Sequence, residues 1–129
     1  MSRVMLSLTV VAGLSAQQKR PADALEQRVE ALLKQMTIEE KAGQMTQVAI
    51  DVILKQRAPD AARHEIDPAK LDDAVLRHQV GSILNVAGRA YTVENWHELI
   101  NQIQDAAART RLKIPVIYGI DAVHGANYT

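Results

Sequence analysis

Ile114-Pro115-Val116-Ile117-Tyr118-Gly119-Ile120-Asp121-Ala122-Val123-His124-Gly125-Ala126-Asn127-Tyr128 is the stretch on which the reading of this chain turns. It opens with an apolar run, Ile114 to Ile120, whose β-branched residues and short length predict a strand buried on both faces, as in a parallel sheet. Directly after it come Asp121 and His124, two ionisable groups among small residues, with Gly119 and Gly125 permitting tight turns. Ionisable side chains at the carboxyl end of a buried strand point to a site.

Upstream, Thr92 caps a predicted helix in which Trp96, Leu99, Ile100, Ile103 and Ala107 line one face, while Glu94, Glu98, Gln102 and Asp105 mostly point to water. Trp96 belongs to that apolar stripe and is core. The basic cluster from Arg109 to Lys113 suits the negative end of the helix dipole and needs no nucleic-acid explanation. Val80 to Val86 reads as a short buried strand followed by a loop at Gly88 and Arg89. Before it, Asp67-Pro68 is a strong helix start, and Leu71, Ala74, Val75 and His78 form the inner side of that helix. Asp51 to Glu65 is the least legible segment. Gln44 to Ile50 has the Val, Ile and Thr content of a strand. It follows a short helix opened by a capping box between Thr37 and Glu40 and ended by Gly43. Ala24 to Met36 is an amphipathic helix with Leu25, Val29, Leu32, Leu33 and Met36 on one buried face.

The order helix, strand, helix, strand, helix, strand argues for a parallel α/β architecture. Neither a G-x-G-x-x-G turn nor a Walker A sequence is present, which disfavours a nucleotide-binding doubly wound sheet. A TIM barrel needs no such fingerprint and carries its site at the carboxyl ends of its strands, where Asp121 and His124 fall. A complete barrel takes about 250 residues. The expectation is therefore the first part of a (β/α)8 TIM barrel, incomplete in this chain and continuing past Thr129.

Composition narrows the function. The 15 basic and 15 acidic residues cancel, so there is no electrostatic footprint for nucleic acid or an anionic membrane, and a neutral partner such as a sugar fits better. The chain has no cysteine, which removes disulfides, thiol catalysis and Cys-ligated zinc. His64, His78 and His97 lack metal-ligand spacing. Met1 to Ala16, with Arg3 ahead of the apolar Val4 to Leu14, reads as a signal peptide, with 17–23 as a polar linker and 24–129 as the folded part. That stretch is too short for a transmembrane helix of about 20 residues, so the expected location is periplasmic or secreted, with no membrane association after signal removal.

Three ordered blocks carry a resemblance: Arg28-Val29-Glu30-Ala31-Leu32-Leu33-Lys34-Gln35-Met36-Thr37-Ile38-Glu39-Glu40-Lys41-Ala42-Gly43-Gln44-Met45, Val80-Gly81-Ser82-Ile83-Leu84-Asn85, and Ile114 to Gly125. From about Asp23 to Thr129 the chain closely resembles the amino-terminal start of glycoside hydrolase family 3, in its β-glucosidase branch. The related β-N-acetylhexosaminidases usually carry an Asp-x-Glu-Gly-Gly form of the last block, and Asp121-Ala122-Val123-His124-Gly125 favours the glucosidases. The resemblance implies hydrolysis of terminal β-linked glucose from β-glucosides and oligosaccharides by retaining double displacement, without metal or cofactor. It implies that Asp121 matches the substrate-binding aspartate, an acceptor able to hold two vicinal hydroxyls. His124 belongs to the same motif, and a lone histidine beside small residues reads as a structural hydrogen-bonding group that supports the loop rather than as a catalyst.

Retaining chemistry needs two carboxyl groups about 5 to 5.5 Å apart. Within the family these follow later barrel strands or come from a second domain, so no catalytic residue is assigned here and the 129-residue chain alone is expected to be inactive. Glu39 with Glu40 and Asp72 with Asp73 are the local alternatives, and both pairs are explained by helix dipoles. Asn127-Tyr128-Thr129 matches a glycosylation sequon, a pattern that three residues meet easily by chance. The residues alone leave open a small exported sugar- or partner-binding α/β protein without catalysis, and an intracellular α/β domain.

Overall fold

The structure, a computed structural model, describes residues 21–55, 65–86, 90–123 and 125. The elements run α1 (Pro21–Gln35), α2 (Ile38–Gln44), β1 (Gln47–Ala49), a 3-10 turn (Ile50–Val52), α3 (Pro68–Asp72) continuing into a π-helical turn (Asp73–Arg77), β2 (Ser82–Leu84), α4 (Val93–Ala108) and β3 (Ile117–Gly119). The three strands form one parallel sheet in the order β1-β2-β3, with Val48 beside Ile83 and Ile83 beside Tyr118. The expected alternation of helices with parallel strands is therefore present.

Three helix starts follow from their side chains. Thr37 Oγ1 accepts from the N–H of Glu40 at 3.2 Å while Glu40 Oε2 accepts from that of Thr37 at 2.9 Å, completing the expected capping box. Asp67 Oδ1 accepts from Ala69 and Lys70 ahead of Pro68, and Thr92 Oγ1 accepts from Asn95 at 3.2 Å. Each satisfies amides that a helix leaves without an internal partner.

The strands are shorter than their apolar runs. Gly43 lies inside α2, which ends at Gln44, so β1 begins only at Gln47. Asn85 has φ of +70°, which turns the chain away after Leu84. Ahead of β3, the side chain of Gln104 takes both backbone groups of Val116, donating to its carbonyl at 2.7 Å and accepting from its N–H at 3.2 Å. That helix-to-chain bridge substitutes for a ladder bond, and β3 starts after it. Nor is β3 buried on both faces: it is the last strand in the sheet order, and Ile117 is 71% exposed.

The core lies between the sheet and the helices that follow β1 and β2. Ile83 of the central strand and Ile103 of α4 are fully buried, joined by Leu71, Val75, Leu99 and Ala107. Ile53 and Leu54, from the least legible segment, are as deeply buried, and so is Ile50, which was expected to close a strand and instead opens the 3-10 turn. They are tied back by an antiparallel bridge between Leu54 and Ile66 and by the N–H of Asp67 on the carbonyl of Ile53 at 2.9 Å.

Two helical faces depart from expectation. Helix α1 begins at Pro21, inside the stretch read as a linker, and its apolar stripe is not buried: Leu25 is 61% exposed, with Val29 and Leu33 also exposed. Among the described residues only Leu32 and Met36 of that stripe are half-covered. His78 is exposed rather than on the inner side. The N–H of His78 bonds to the carbonyl of Asp73, five residues back, and this π turn shifts the helical register so that position 78 swings outward.

Candidate functional site

In a parallel sheet the carboxyl ends of all strands open on one side, and the segments that follow them meet there. Those segments are the turn after Ala49, the chain from Asn85, and Ile120-Asp121. Asp121 thus stands where the sequence placed it, beyond the last residue of β3, with an exposed side chain. His124 lies outside the described residues, as do Asn127-Tyr128-Thr129, Gly88 and Arg89.

Asn85 joins the ends of β2 and β3. Its N–H donates to the carbonyl of Gly119 at 2.9 Å, and its own carbonyl accepts the hydroxyl of Tyr118 at 2.5 Å. Its side-chain Oδ1 accepts the backbone N–H of Asp121 at 2.8 Å. A left-handed backbone suits asparagine better than almost any other residue with a Cβ. Asn85 stood in one of the quoted sequence blocks without a role. The signal that could have singled it out is a polar, left-handed-tolerant residue directly after an apolar strand.

An aromatic group lies on the same end. Trp96, half-buried, sits 5.6 Å from Tyr118 edge-to-face and 4.9 Å from the tilted ring of Tyr91. Such tilted and edge contacts are the favoured ring geometries. Burial, with Tyr91 alongside, pushes the Tyr118 phenol well above its ordinary range. It therefore stays protonated and acts as a fixed hydroxyl donor to Asn85, not as a base.

Glu39 lies in the first turn of α2, as the dipole reading expects, while Glu40, Asp72 and Asp73 have side-chain partners. Arg111 reaches Glu40 through Nε to Oε1 at 3.0 Å and through its terminal nitrogen to Oε2 at 2.5 Å, and also donates to the carbonyl of Gln35 at 2.8 Å. That hydrogen bond, followed by the one from Thr37, holds the Glu40 carboxyl below its usual range against the opposing effect of burial. Asp72 pairs with Arg109 through both carboxylate oxygens. Asp72 and Asp73 lie where α3 passes into the π turn rather than at a helix start, so ion pairs, Asp72 with Arg109 and Asp73 with Arg77, replace the dipole as their explanation. Arg109 and Arg111 after α4 thus serve as long-range partners. Both arginines precede β3, on the amino side of the sheet, away from Asp121.

Among the described residues no group of three or more His, Asp or Glu could hold a metal ion, and no helix is long and apolar enough to cross a membrane.

The model of the glycosyl hydrolase family 3 N-terminal domain matches residues 37–128. A lysosomal beta glucosidase of Dictyostelium discoideum is 36% identical over 109 residues, covering 78% of this chain and 13% of that protein. A probable beta-glucosidase C of Aspergillus flavus is 33% identical, covering 78% of this chain and 15% of its own length. A periplasmic beta-glucosidase of Salmonella typhimurium is 34% identical, covering 80% and 11%. The chain thus spans well under a fifth of the length of these relatives, and the match takes in α2, every strand and Asp121. On that evidence the chain belongs to glycoside hydrolase family 3.

Proposed function

We propose that this chain supplies the sugar-holding part of a β-glucosidase. Asp121 accepts hydrogen bonds from hydroxyls of a terminal, non-reducing β-D-glucosyl residue and so fixes the ring's orientation. Hydrolysis follows a retaining double displacement, with a nucleophile and an acid/base contributed by two carboxyl groups about 5 to 5.5 Å apart. Among the described residues, the paired acids Glu40 and Asp72 are engaged by Arg111 and Arg109, so neither is assigned to that chemistry. The single observation that carries the reading is the position of Asp121: it lies within the matched family region and emerges at the carboxyl end of a parallel strand, where α/β proteins bind ligands.

In the same reading, the sheet is the first three strands of a (β/α)8 barrel. Sequential neighbours with helices between them, as in β1-β2-β3, are what a barrel wall contains. His124 supports the loop carrying Asp121. Residues 1–16 act as an export signal, giving a periplasmic or secreted protein; one relative is named as periplasmic and another as lysosomal. Related exo-activities, such as release of β-xylose, use the same carboxylate chemistry and are separated by assay.

The test is a paired binding and turnover experiment on the purified chain with 4-nitrophenyl β-D-glucopyranoside. The expected result is saturable binding that disappears in Asp121→Ala, with no release of 4-nitrophenol. Release of 4-nitrophenol abolished by Asp121→Ala would overturn the division of labour, and binding that survives the substitution would overturn the role of Asp121.

A further inference from the structure

Asp121 is exposed and follows the end of β3 outside any regular element. A carboxylate that recognises a pair of hydroxyls must nevertheless be held close to its productive geometry. The observation that meets this need is the set of bonds made by Asn85, whose main chain and side chain all converge on the end of β3. Its N–H takes the carbonyl of Gly119, its carbonyl takes the hydroxyl of Tyr118, and its Oδ1 takes the N–H of Asp121.

The side-chain contact differs in kind from the other two. Main-chain bonds to Gly119 and Tyr118 would survive any residue that accepts φ of +70°, whereas the bond to Asp121 requires an acceptor oxygen on a short side chain. The amide orientation is determined, because a backbone N–H can only donate and Oδ1 must face it. Tyr118 in turn is wedged against Trp96 at 5.6 Å, so the aromatic group braces the carbonyl of Asn85 while Asn85 braces Asp121.

We propose that Asn85 is a positioning residue for the sugar site: by accepting the backbone N–H of Asp121 it fixes where the substrate-holding carboxylate stands, without touching the sugar itself. This rests on the reading of Asp121 given above, and the two can fail separately.

The decisive variants are Asn85→Gly and Asn85→Asp. Glycine adopts the left-handed backbone without steric cost, keeping the bonds to Gly119 and Tyr118 while removing the acceptor. Losing one hydrogen bond of ordinary net strength corresponds to about a three- to tenfold effect. In Asn85→Gly, amide hydrogen exchange at Asp121 is therefore expected to accelerate by that factor while Ile83 and Ile103 keep their protection. Binding of methyl β-D-glucopyranoside should weaken by the same order. Asn85→Asp restores slow exchange at Asp121, and the Asp121 amide proton shift follows the titration of the carboxylate introduced at position 85. That last readout stands even if the glycine variant is too unstable to study.

Unchanged exchange at Asp121 in Asn85→Gly, or an Asp121 amide indifferent to the position-85 carboxylate, overturns the positioning role. Sugar binding that survives Asp121→Ala overturns the reading of Asp121 instead, and leaves the anchoring by Asn85 to be judged by exchange alone.

Discussion

Gly81 donates its N–H to the carbonyl of Gly43 at 2.9 Å, and these two glycines are where α2 meets the start of the central strand. A Cβ on Gly43 would lie 2.3 Å from the carbonyl oxygen of His78, and one on Gly81 would lie 2.2 Å from that of Gln44. Both obstacles are backbone, which cannot swing aside as a side chain can. Helix, loop and strand approach so closely only because neither position carries a side chain.

Gly81→Ala and Gly43→Ala are therefore expected to destabilise the fold. Alanine inside a helix ordinarily gains up to about 1 kcal/mol over glycine, so position 43 would naively be improved. The backbone clash reverses that sign, and overpacking of this kind costs about 1–3 kcal/mol. Urea denaturation of both variants checks the direction; a Gly43→Ala protein more stable than the parent would contradict the packing.

Acid sensitivity should centre on Glu40. Its folded carboxyl is held below the ordinary value of 4.5 by Arg111 and the N–H of Thr37. A depressed carboxylate contributes stability at pH values above its unfolded pKa and loses it as pH falls through the folded one. The melting temperature should thus hold near neutral pH and drop below about pH 4.5, and Glu40→Gln should flatten that acid limb while lowering the neutral-pH value by several degrees. An identical acid limb in the variant would show that other carboxyls carry it.

Ile83→Ala probes the core. Ile83 is fully buried in the central strand with β1 and β3 on either side. Removing such a side chain costs about 2–5 kcal/mol through lost transfer energy and the cavity left behind. Chemical denaturation with an unchanged slope would report that loss; an effect below about 1 kcal/mol would mean that this position is not packed as described.

The helix starts were legible because a cap is local: Thr37, Asp67 and Thr92 each bond within three residues. The parallel alternation was legible because apolar runs and caps recur in order. What the chain did not announce depends on partners distant in sequence. Strand β3 begins late because Gln104 claims Val116, and Arg111 looks like a dipole residue until it meets Glu40, 71 positions away. Ile53 and Leu54 are buried in a segment without periodicity because a turn and a bridge place them, not a helix or strand face. At the site, Asp121 stood out as an ionisable residue after an apolar run. Asn85 did not, since its importance lies in a left-handed backbone and in bonds to a strand more than thirty residues on.

Sugar held at the carboxyl ends of the strands, as proposed, would perturb that end of the sheet alone. Titrating methyl β-D-glucopyranoside into the isotopically labelled chain and following its backbone amides tests this most directly. Saturable shifts at Asn85 and Asp121, with Gly43, Gly81 and Arg111 at the opposite end of the sheet unmoved, are expected. Shifts confined to the amino end, or undiminished by Asp121→Ala, would contradict it.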